Sequence, residues 1–205
     1  RAGMRSLGPL VDVTNYVMLE LGQPMHAFDL GRLSGGIEVR RARPGDRLEL
    51  LNGVVVEPDA ETLLITDHAG PLALAGIMGG EISSCTDATR DVFLESAFFA
   101  PASIAGRARR YGLQTDSSYR FERGVDPQLQ RRAAERATRL LIDMAGGKPG
   151  PIVEAVSPEH LPAEPAIRLR PERIRKLLGM DVAAAEVESI LRRLGMAVAI
   201  GSGHW

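Results

Sequence analysis

The sequence predicts an α+β fold with a β-rich core, barrel- or sandwich-like, flanking helices, and a small partial α/β module of helix-turn-helix-like form. Three observations predict it: a series of hairpin signals, one long amphipathic helix after them, and a proline-rich stretch followed by two short helices. A chain of 205 residues with 44% hydrophobic and 25% charged residues is also apolar enough to build a core.

Short apolar segments separated by turn signals make the first part of the chain strand-rich. Asn52-Gly53 is the strongest short hairpin signal, and residues 67–70 predict a second hairpin turn. The last of these segments contains one carboxylate, Glu95, in a strand that we expect to be buried. The predicted strands are residues 37–43, 48–51, 54–56, 63–66, 72–75 and 92–95.

One long helix is predicted to begin at Asp126, because aspartate is a good N-cap and Pro127 suits the first helical position. Gly146-Gly147 is predicted to end it. Its apolar stripe comprises Leu129, Ala133, Ala137, Leu140, Leu141 and Met144. A shorter helix is expected between Pro101 and Gly112.

The chain divides into three parts by composition. Residues 1–156 form the large domain, residues 157–166 a proline-rich linker, and residues 167–205 an incomplete module. That module is predicted to hold a strand at 167–169, helices at 171–178 and 183–194, and a strand-like end at 197–200. Because the chain begins at Arg1 and stops just after that segment, we expect it to be a fragment of a longer polypeptide.

Positive charge is concentrated between Arg107 and Arg139, where nine arginines face four carboxylates. Arginine suits bidentate phosphate contacts, and interspersed aromatic side chains can stack on unpaired bases. The segment therefore favours either nucleic-acid binding or a solvated, salt-bridged helical face, and the sequence leaves both open. The aromatic residues are Tyr111, Tyr119 and Phe121.

Common catalytic and metal-binding signatures are missing from the sequence. Cys85 is the single cysteine, which excludes a disulfide framework or a cysteine-based zinc site and fits a reducing compartment. The four histidines lack ligand spacing, and we find no P-loop, no dinucleotide fingerprint and no Gly-x-Ser-x-Gly elbow. No metal site, membrane span or signal peptide is predicted.

Three polar segments together resemble the editing domain of bacterial phenylalanine–tRNA synthetase beta subunits. They are residues 22–29 (GQPMHAFD), residues 76–80 (GIMGG) with 93–97 (FLESA), and residues 113–127 (LQTDSSYRFERGVDP). The resemblance runs from about residue 11 to about residue 156. It implies that the large domain, residues 1–156, hydrolyses tyrosyl-tRNA(Phe) that was charged in error.

The resemblance also implies the setting of that domain. The whole enzyme would be an α2β2 assembly in the cytoplasm that attaches phenylalanine to tRNA(Phe) with ATP and Mg²⁺. The synthetic site would lie on the alpha subunit, so no cofactor is expected in this chain, and neither DNA nor a membrane is an expected partner. The alternative reading is a non-catalytic module that binds tRNA or protein.

Glu95 is the residue predicted to recognise a mischarged tyrosine. An apolar pocket shaped for phenylalanine rejects an added hydroxyl by only about a hundredfold, so an editing site must require that hydroxyl instead. A carboxylate among apolar residues does so, since phenylalanine would leave it desolvated and unpaired. The structural alternative for Glu95 is an ion pair with a nearby arginine.

The other site residues are carried over from the resemblance. His26 and Thr115 are predicted to be catalytic, with His26 orienting water or the terminal ribose; the structural alternative for His26 is a loop histidine bonded to Asp29. The substrate-binding set is Glu95, Gly79, Ser117 and Arg5, and the tRNA-binding set is Arg109, Arg110 and Arg132. Ser117 departs from the alanine of many relatives, and we expect the pocket to tolerate it.

Hydrolysis at such a site needs donors for the oxyanion, which backbone amides near Gly79 or residues 115–117 would supply. No Ser-His-Asp arrangement is present, so no covalent intermediate is implied. If these residues share a function, His26, Gly79, Glu95 and Thr115 must converge on one cleft although they lie far apart in the sequence.

Overall fold

The computed structural model describes residues 3–163 and 166–205, which form two compact units that divide after Pro162. The strands of the larger unit are β1 (Met25–Asp29), β2 (Glu38–Arg41), β3 (Leu48–Glu49), β4 (Val55–Val56), β5 (Leu63–Thr66), β6 (Pro71–Leu74), β7 (Met78–Gly79) and β8 (Val92–Ser96). Its helices are α1 (Pro9–Leu21), α2 (Pro101–Ile104), α3 (Arg107–Arg110), α4 (Asp116–Phe121) and α5 (Gln130–Ala145). The α+β prediction is confirmed.

The strands form one larger sheet and two ribbons. The larger sheet is antiparallel in the order β2-β5-β6-β7, and the ribbons are β1-β8 and β3-β4. Both predicted hairpins are confirmed: β3 turns into β4 at Gly53, whose φ of 78° suits glycine, and β5 turns into β6 across residues 67–70. None of the sheets in the described residues closes into a barrel.

Two hydrophobic clusters hold the larger unit together. The larger cluster joins the four-stranded sheet to helices α2, α3 and α4, and its buried side chains include Phe28, Leu50, Leu64, Leu74, Ile104 and Phe121. The smaller cluster lies between α1 and α5, where Val13 and Val17 pack on Ala133 and Ala137. The two alanines are fully buried, and their small side chains let the helices approach closely.

The β1–β8 ribbon lies between these clusters. Its side chains point alternately to its two faces, so each face belongs to a different cluster. Met25 and Leu94 belong to the face packed on α1 and α5. Successive side chains of a strand point to opposite faces, so His26 and Phe28 share the other face with Phe93 and Glu95 across the ribbon. This second face borders the candidate site.

Two helix predictions in the larger unit need correction. The long helix begins at Gln130 rather than Asp126, because residues 126–129 form a turn in which the Leu129 amide donates to the Asp126 carbonyl (3.3 Å). Its end at Gly146 is confirmed, but Met144 of the predicted stripe is exposed. The helix expected between Pro101 and Gly112 is split into α2 and α3 by Gly106, whose φ is 75°.

The smaller unit contains α6 (Pro171–Leu178) and α7 (Ala184–Arg193), which confirms both predicted helices. The strands predicted at 167–169 and 197–200 are absent among the described residues. In the part of the chain that the structure describes, Leu169 exchanges backbone hydrogen bonds only with Trp205, both at 3.0 Å, and one such pair is too short for a strand. Val187 is buried, whereas Leu177, Leu178 and Leu194 are exposed.

Candidate functional site

The register of the β1–β8 ribbon sets His26 directly opposite Glu95. Side chains opposite each other in an antiparallel pair have Cβ atoms about 4.5–5.5 Å apart. The expectation that these two residues lie within reach of one amino acid is therefore confirmed, although 68 positions separate them in the sequence.

A cleft of about 490 Å³ opens beside this pair. It is lined by five of the predicted residues: His26, Gly79, Glu95, Thr115 and Ser117. The expected convergence on one cleft is confirmed. Arg5 is not among the residues that line it, although its neighbours Met4 and Leu7 are.

His26 belongs to strand β1, so the alternative of a loop histidine bonded to Asp29 is wrong. Its Nε2 atom is buried and has no hydrogen-bond partner among the described residues. Burial removes the hydration that a charged imidazolium needs, and it lowers the pKa of His26 to about 4. The ring is therefore neutral at pH 7 and one of its nitrogens can accept a proton.

Gly79 makes room for the His26 ring. A Cβ atom at residue 79 would lie only 2.4 Å from Cε1 and 2.7 Å from Nε2 of His26. Real Cβ atoms do not approach other atoms so closely, so any side chain at this position would displace the imidazole. The requirement for glycine here is one of space, because Gly79 does not have the positive φ that glycine adopts elsewhere in the chain.

Glu95 has no hydrogen bond or ion pair in the described part of the chain, so the structural alternative of an arginine partner is wrong there. Glu95 is half-buried and lines the cleft. This burial raises the pKa of Glu95 to about 7 from 4.5. A half-ionised carboxyl group without a protein partner thus faces a neutral imidazole.

Thr115 and Ser117 form the wall contributed by α4. The Thr115 hydroxyl accepts a hydrogen bond from the Ser118 amide (3.0 Å) and donates one to the Ile77 carbonyl (2.9 Å). Ser118 completes a capping box by accepting from the Thr115 amide (3.1 Å). These contacts fix the start of α4 against residue 77, and they occupy the proton of the Thr115 hydroxyl.

Most arginines of the basic segment contact carboxylates. Seven of the nine do so: Arg107, Arg110, Arg120, Arg123, Arg131, Arg136 and Arg139. Several of the carboxylates come from outside residues 107–139, among them Asp59, which contacts Arg110, and Glu20, which contacts Arg136. Within the described ranges, Arg109 and Arg132 are exposed and have no carboxylate at ion-pair distance.

Helix α1 contributes a wall of the cleft that was not predicted from the sequence. Thr14, Asn15 and Met18 line the cleft, as does Cys85 on another side. A signal for this helix was present, since Pro9 suits a helix start and Gly22 a helix end. In residues 3–163 and 166–205 no three His, Cys, Asp or Glu side chains come together as metal ligands. No helix there is both long and apolar enough to cross a membrane.

Comparison with known proteins gives consistent matches. The B3/4 domain family matches residues 1–146. The phenylalanine–tRNA ligase beta subunit of Methylococcus capsulatus is 61% identical over all 205 residues, and that of Yersinia pestis is 56% identical. In both cases the match covers 26% of the relative, so the chain spans about a quarter of the length of these proteins.

A solved structure, an N-terminal fragment of the phenylalanyl-tRNA synthetase beta subunit from Pyrococcus horikoshii, is 16% identical with a TM-score of 0.46. That match covers 95% of this chain and 57% of the solved one, a likeness too distant to bear on the site. The family match over residues 1–146 stands independently of it. The chain therefore belongs to the B3/4 domain family, and throughout its length it is similar to phenylalanine–tRNA ligase beta subunits.

Proposed function

We propose that this chain carries the editing site of a phenylalanine–tRNA ligase and hydrolyses the ester of tyrosine wrongly attached to tRNA(Phe). The observation that supports this most is the partnerless carboxyl group of Glu95 opposite the partnerless Nε2 of His26 in one cleft. A cleft of about 490 Å³ also lies in the usual range of small-ligand pockets, about 300–1,000 Å³.

Selection in this site works through the hydrogen bond that only tyrosine can make. The tyrosine hydroxyl donates to the Glu95 carboxylate and replaces the water that entry of the ligand removes. Phenylalanine strips the same water and leaves the carboxylate unpaired, at a cost of about 1–3 kcal/mol or more. Discrimination therefore comes from the penalty on the wrong ligand as much as from the contact with the right one.

Hydrolysis needs a positioned water and a place for the negative charge on the carbonyl oxygen. In our proposal the neutral His26 ring orients the water or the terminal ribose, which requires the unprotonated nitrogen that its low pKa maintains. The amides of Asp116 and Ser117, the first residues of α4, lack acceptors within the helix and are the proposed oxyanion donors. Thr115 is proposed to hold this wall in place.

The remaining assignments extend the sequence-based expectations, and the similarity to phenylalanine–tRNA ligase beta subunits supports them. We propose that residues 1–156 form the editing domain, that 157–166 link it to an incomplete nucleic-acid-binding-like module, and that Arg5, Arg109, Arg110 and Arg132 contact tRNA(Phe). The whole cytoplasmic enzyme would pair this subunit with an alpha subunit as α2β2 and use ATP with Mg²⁺. We propose that the synthetic site lies on the alpha subunit.

The rival proposal is a module that binds tRNA or protein without chemistry. The deciding experiment measures hydrolysis of tyrosyl-tRNA(Phe) and phenylalanyl-tRNA(Phe) by the parent protein, by Glu95→Ala and by Glu81→Ala. Glu81 is an exposed carboxylate that does not itself line the cleft, and it serves as the matched control.

We expect the parent and Glu81→Ala to hydrolyse tyrosyl-tRNA preferentially, and Glu95→Ala to lose that preference by about tenfold or more, the equivalent of one lost hydrogen bond to a charged group. Circular dichroism should confirm that the variant is folded. Binding of both tRNAs without hydrolysis by the parent would establish the rival instead.

A further inference from the structure

We propose that the Gln23 side chain is a positioning residue that, with Gln130, clamps the end of the β1–β8 ribbon and so holds His26 and Glu95 in place. This inference rests on the proposed function and deepens it, since it names what keeps the two site residues opposite each other. Gln23 does not line the cleft.

Gln23 is fully buried, which is unusual for a primary amide, and all of its polar atoms are used. Its Nε2 donates to the carbonyl oxygens of Ala97 (2.8 Å) and Pro24 (2.9 Å). Its Oε1 accepts from Nε2 of Gln130 (3.1 Å). The opposite orientation of the amide would face oxygen with oxygen, so these partners fix which end is nitrogen.

Gln130 carries the connection onward to the long helix. The Gln130 Nε2 also donates to the Asp126 backbone carbonyl (2.8 Å), and the Gln130 backbone carbonyl accepts from the Ser96 hydroxyl (2.9 Å). The start of α5, the approach to β1 and the end of β8 are thereby joined through two side-chain amides and one hydroxyl. Because the Gln23 amide is fully buried, loss of these partners would leave it unsatisfied and destabilise the ribbon end.

The clamp acts where the main-chain ladder stops. Met25 and Ser96 are the last paired residues of the ribbon, and His26 and Glu95 are the next pair inward. A two-stranded ribbon is only marginally stable on its own, and its hydrogen bonds open first at its ends. Because Gln23 binds Ala97 just beyond the last pair, it extends the pairing and prevents opening that would separate the two site residues.

The test uses the complete natural polypeptide assembled with its partner subunit. Gln23→Met and Gln130→Met keep side-chain volume and remove the hydrogen bonds. Thr62→Val is the matched control: Thr62 is also fully buried, bonds to Asp59 and Tyr111, and lies outside the cleft lining. Thermal unfolding is measured for each variant, and activities are compared between variants that lose a similar amount of stability.

We expect Gln23→Met to lower kcat for tyrosyl-tRNA hydrolysis by about tenfold or more, the scale of effect that small misplacements of reacting groups produce, with KM little changed. The preference for tyrosyl-tRNA should fall with it. The kcat of the double variant should be little lower than that of the more impaired single variant, because the two amides act as one unit. Equal kcat values and preferences in Gln23→Met and Thr62→Val would overturn the clamp.

A second measurement keeps this inference separable from the proposed function. Hydrogen exchange followed by mass spectrometry should show residues 24–30 and 92–98 exchanging about tenfold faster or more in Gln23→Met than in Thr62→Val. Unchanged exchange there would overturn the clamp even if hydrolysis fell. If the parent hydrolyses neither ester, the proposed function fails, and the exchange result alone decides whether Gln23 holds the ribbon.

Discussion

At the scale of single residues, Glu95 and His26 are shifted in opposite directions by the same cause. Burial disfavours the charged form of each, so it raises the pKa of Glu95 to about 7 and lowers that of His26 to about 4. Folding therefore favours protonated Glu95 and neutral His26. Neither side chain has a polar partner in the described residues that would offset this cost.

The Glu95 pKa predicts how stability depends on pH. Between 4.5 and about 7 the folded protein binds more protons at Glu95 than the unfolded chain does, so this residue lowers stability as pH rises through that window. We compare the free energy of unfolding of Glu95→Gln with that of the parent. The difference should shift in favour of the variant between pH 5 and pH 8, by about 3 kcal/mol at most. Urea denaturation at both values checks this, and a pH-independent difference contradicts it.

Recognition of tyrosine should follow the same titration. The ionised carboxylate accepts the tyrosine hydroxyl and carries the larger penalty when phenylalanine leaves it unpaired. The ratio of tyrosyl- to phenylalanyl-tRNA hydrolysis should therefore rise between pH 6 and pH 8, across the Glu95 pKa of about 7. The base-catalysed loss of each ester, measured without protein, is subtracted before the ratio is taken. The control is Glu95→Gln, whose ratio should be low and flat, and a flat ratio in the parent would count against the proposed recognition.

At the scale of elements, local signals predicted the hairpins well and long-range pairing poorly. Asn52-Gly53 specifies its own turn, and Gly179 ends α6 where the sequence indicated. The pairing of β1 with β8 joins segments more than 60 residues apart, and it depends on helices α1 and α5 covering one face of the ribbon. No local pattern encodes that register, so His26 and Glu95 could be connected only through the resemblance.

The start of α5 shows how tertiary contacts override a local signal. Asp126 and Pro127 are favourable helix starters, yet the helix begins at Gln130, whose side chain bonds to both the Asp126 carbonyl and Gln23. The strand predicted at 167–169 is likewise absent, because among the described residues Leu169 has only Trp205 as a backbone hydrogen-bond partner. Alternation of residues predicts a strand only where a neighbouring strand is available.

The packing of β7 against β1 predicts the outcome of one glycine replacement. Gly79→Ala should cost about 1–3 kcal/mol by overpacking and should abolish most hydrolysis, because the new methyl displaces the His26 ring. Gly36→Ala is the control, since a Cβ there meets no atom within 4 Å.

Adding His26→Ala to Gly79→Ala should recover stability but not activity, because the methyl then has space while the imidazole is gone. Urea denaturation and the tyrosyl-tRNA assay report the two effects separately. A fully active Gly79→Ala would mean that the ring moves freely and that its position does not limit hydrolysis.

At the scale of the whole molecule, the basic segment is less positive than its sequence suggests. Carboxylates distant in sequence neutralise much of it: Asp59 contacts Arg107 and Arg110, and Glu20 contacts Arg136. Counting charges within residues 107–139 cannot include these partners, because folding brings them there. The paired arginines fit the solvated, salt-bridged face, whereas nucleic-acid binding stays a prediction for Arg109 and Arg132.

This division predicts a graded response of tRNA binding to salt. An arginine without a protein carboxylate can contact phosphate and release a counterion, so Arg109→Gln and Arg132→Gln should each reduce the slope of log affinity against log salt by about 0.7–0.9. Arg110→Gln should reduce it less, because Asp59 already neutralises this charge. Arg139→Gln is the matched control, exposed like Arg132 on the same helix but paired with Asp143 at 3.0 Å. Affinities measured at several salt concentrations give each slope. Equal slopes for all four variants and the parent would mean that the whole segment is a solvated, salt-bridged face and that tRNA approaches the cleft from elsewhere.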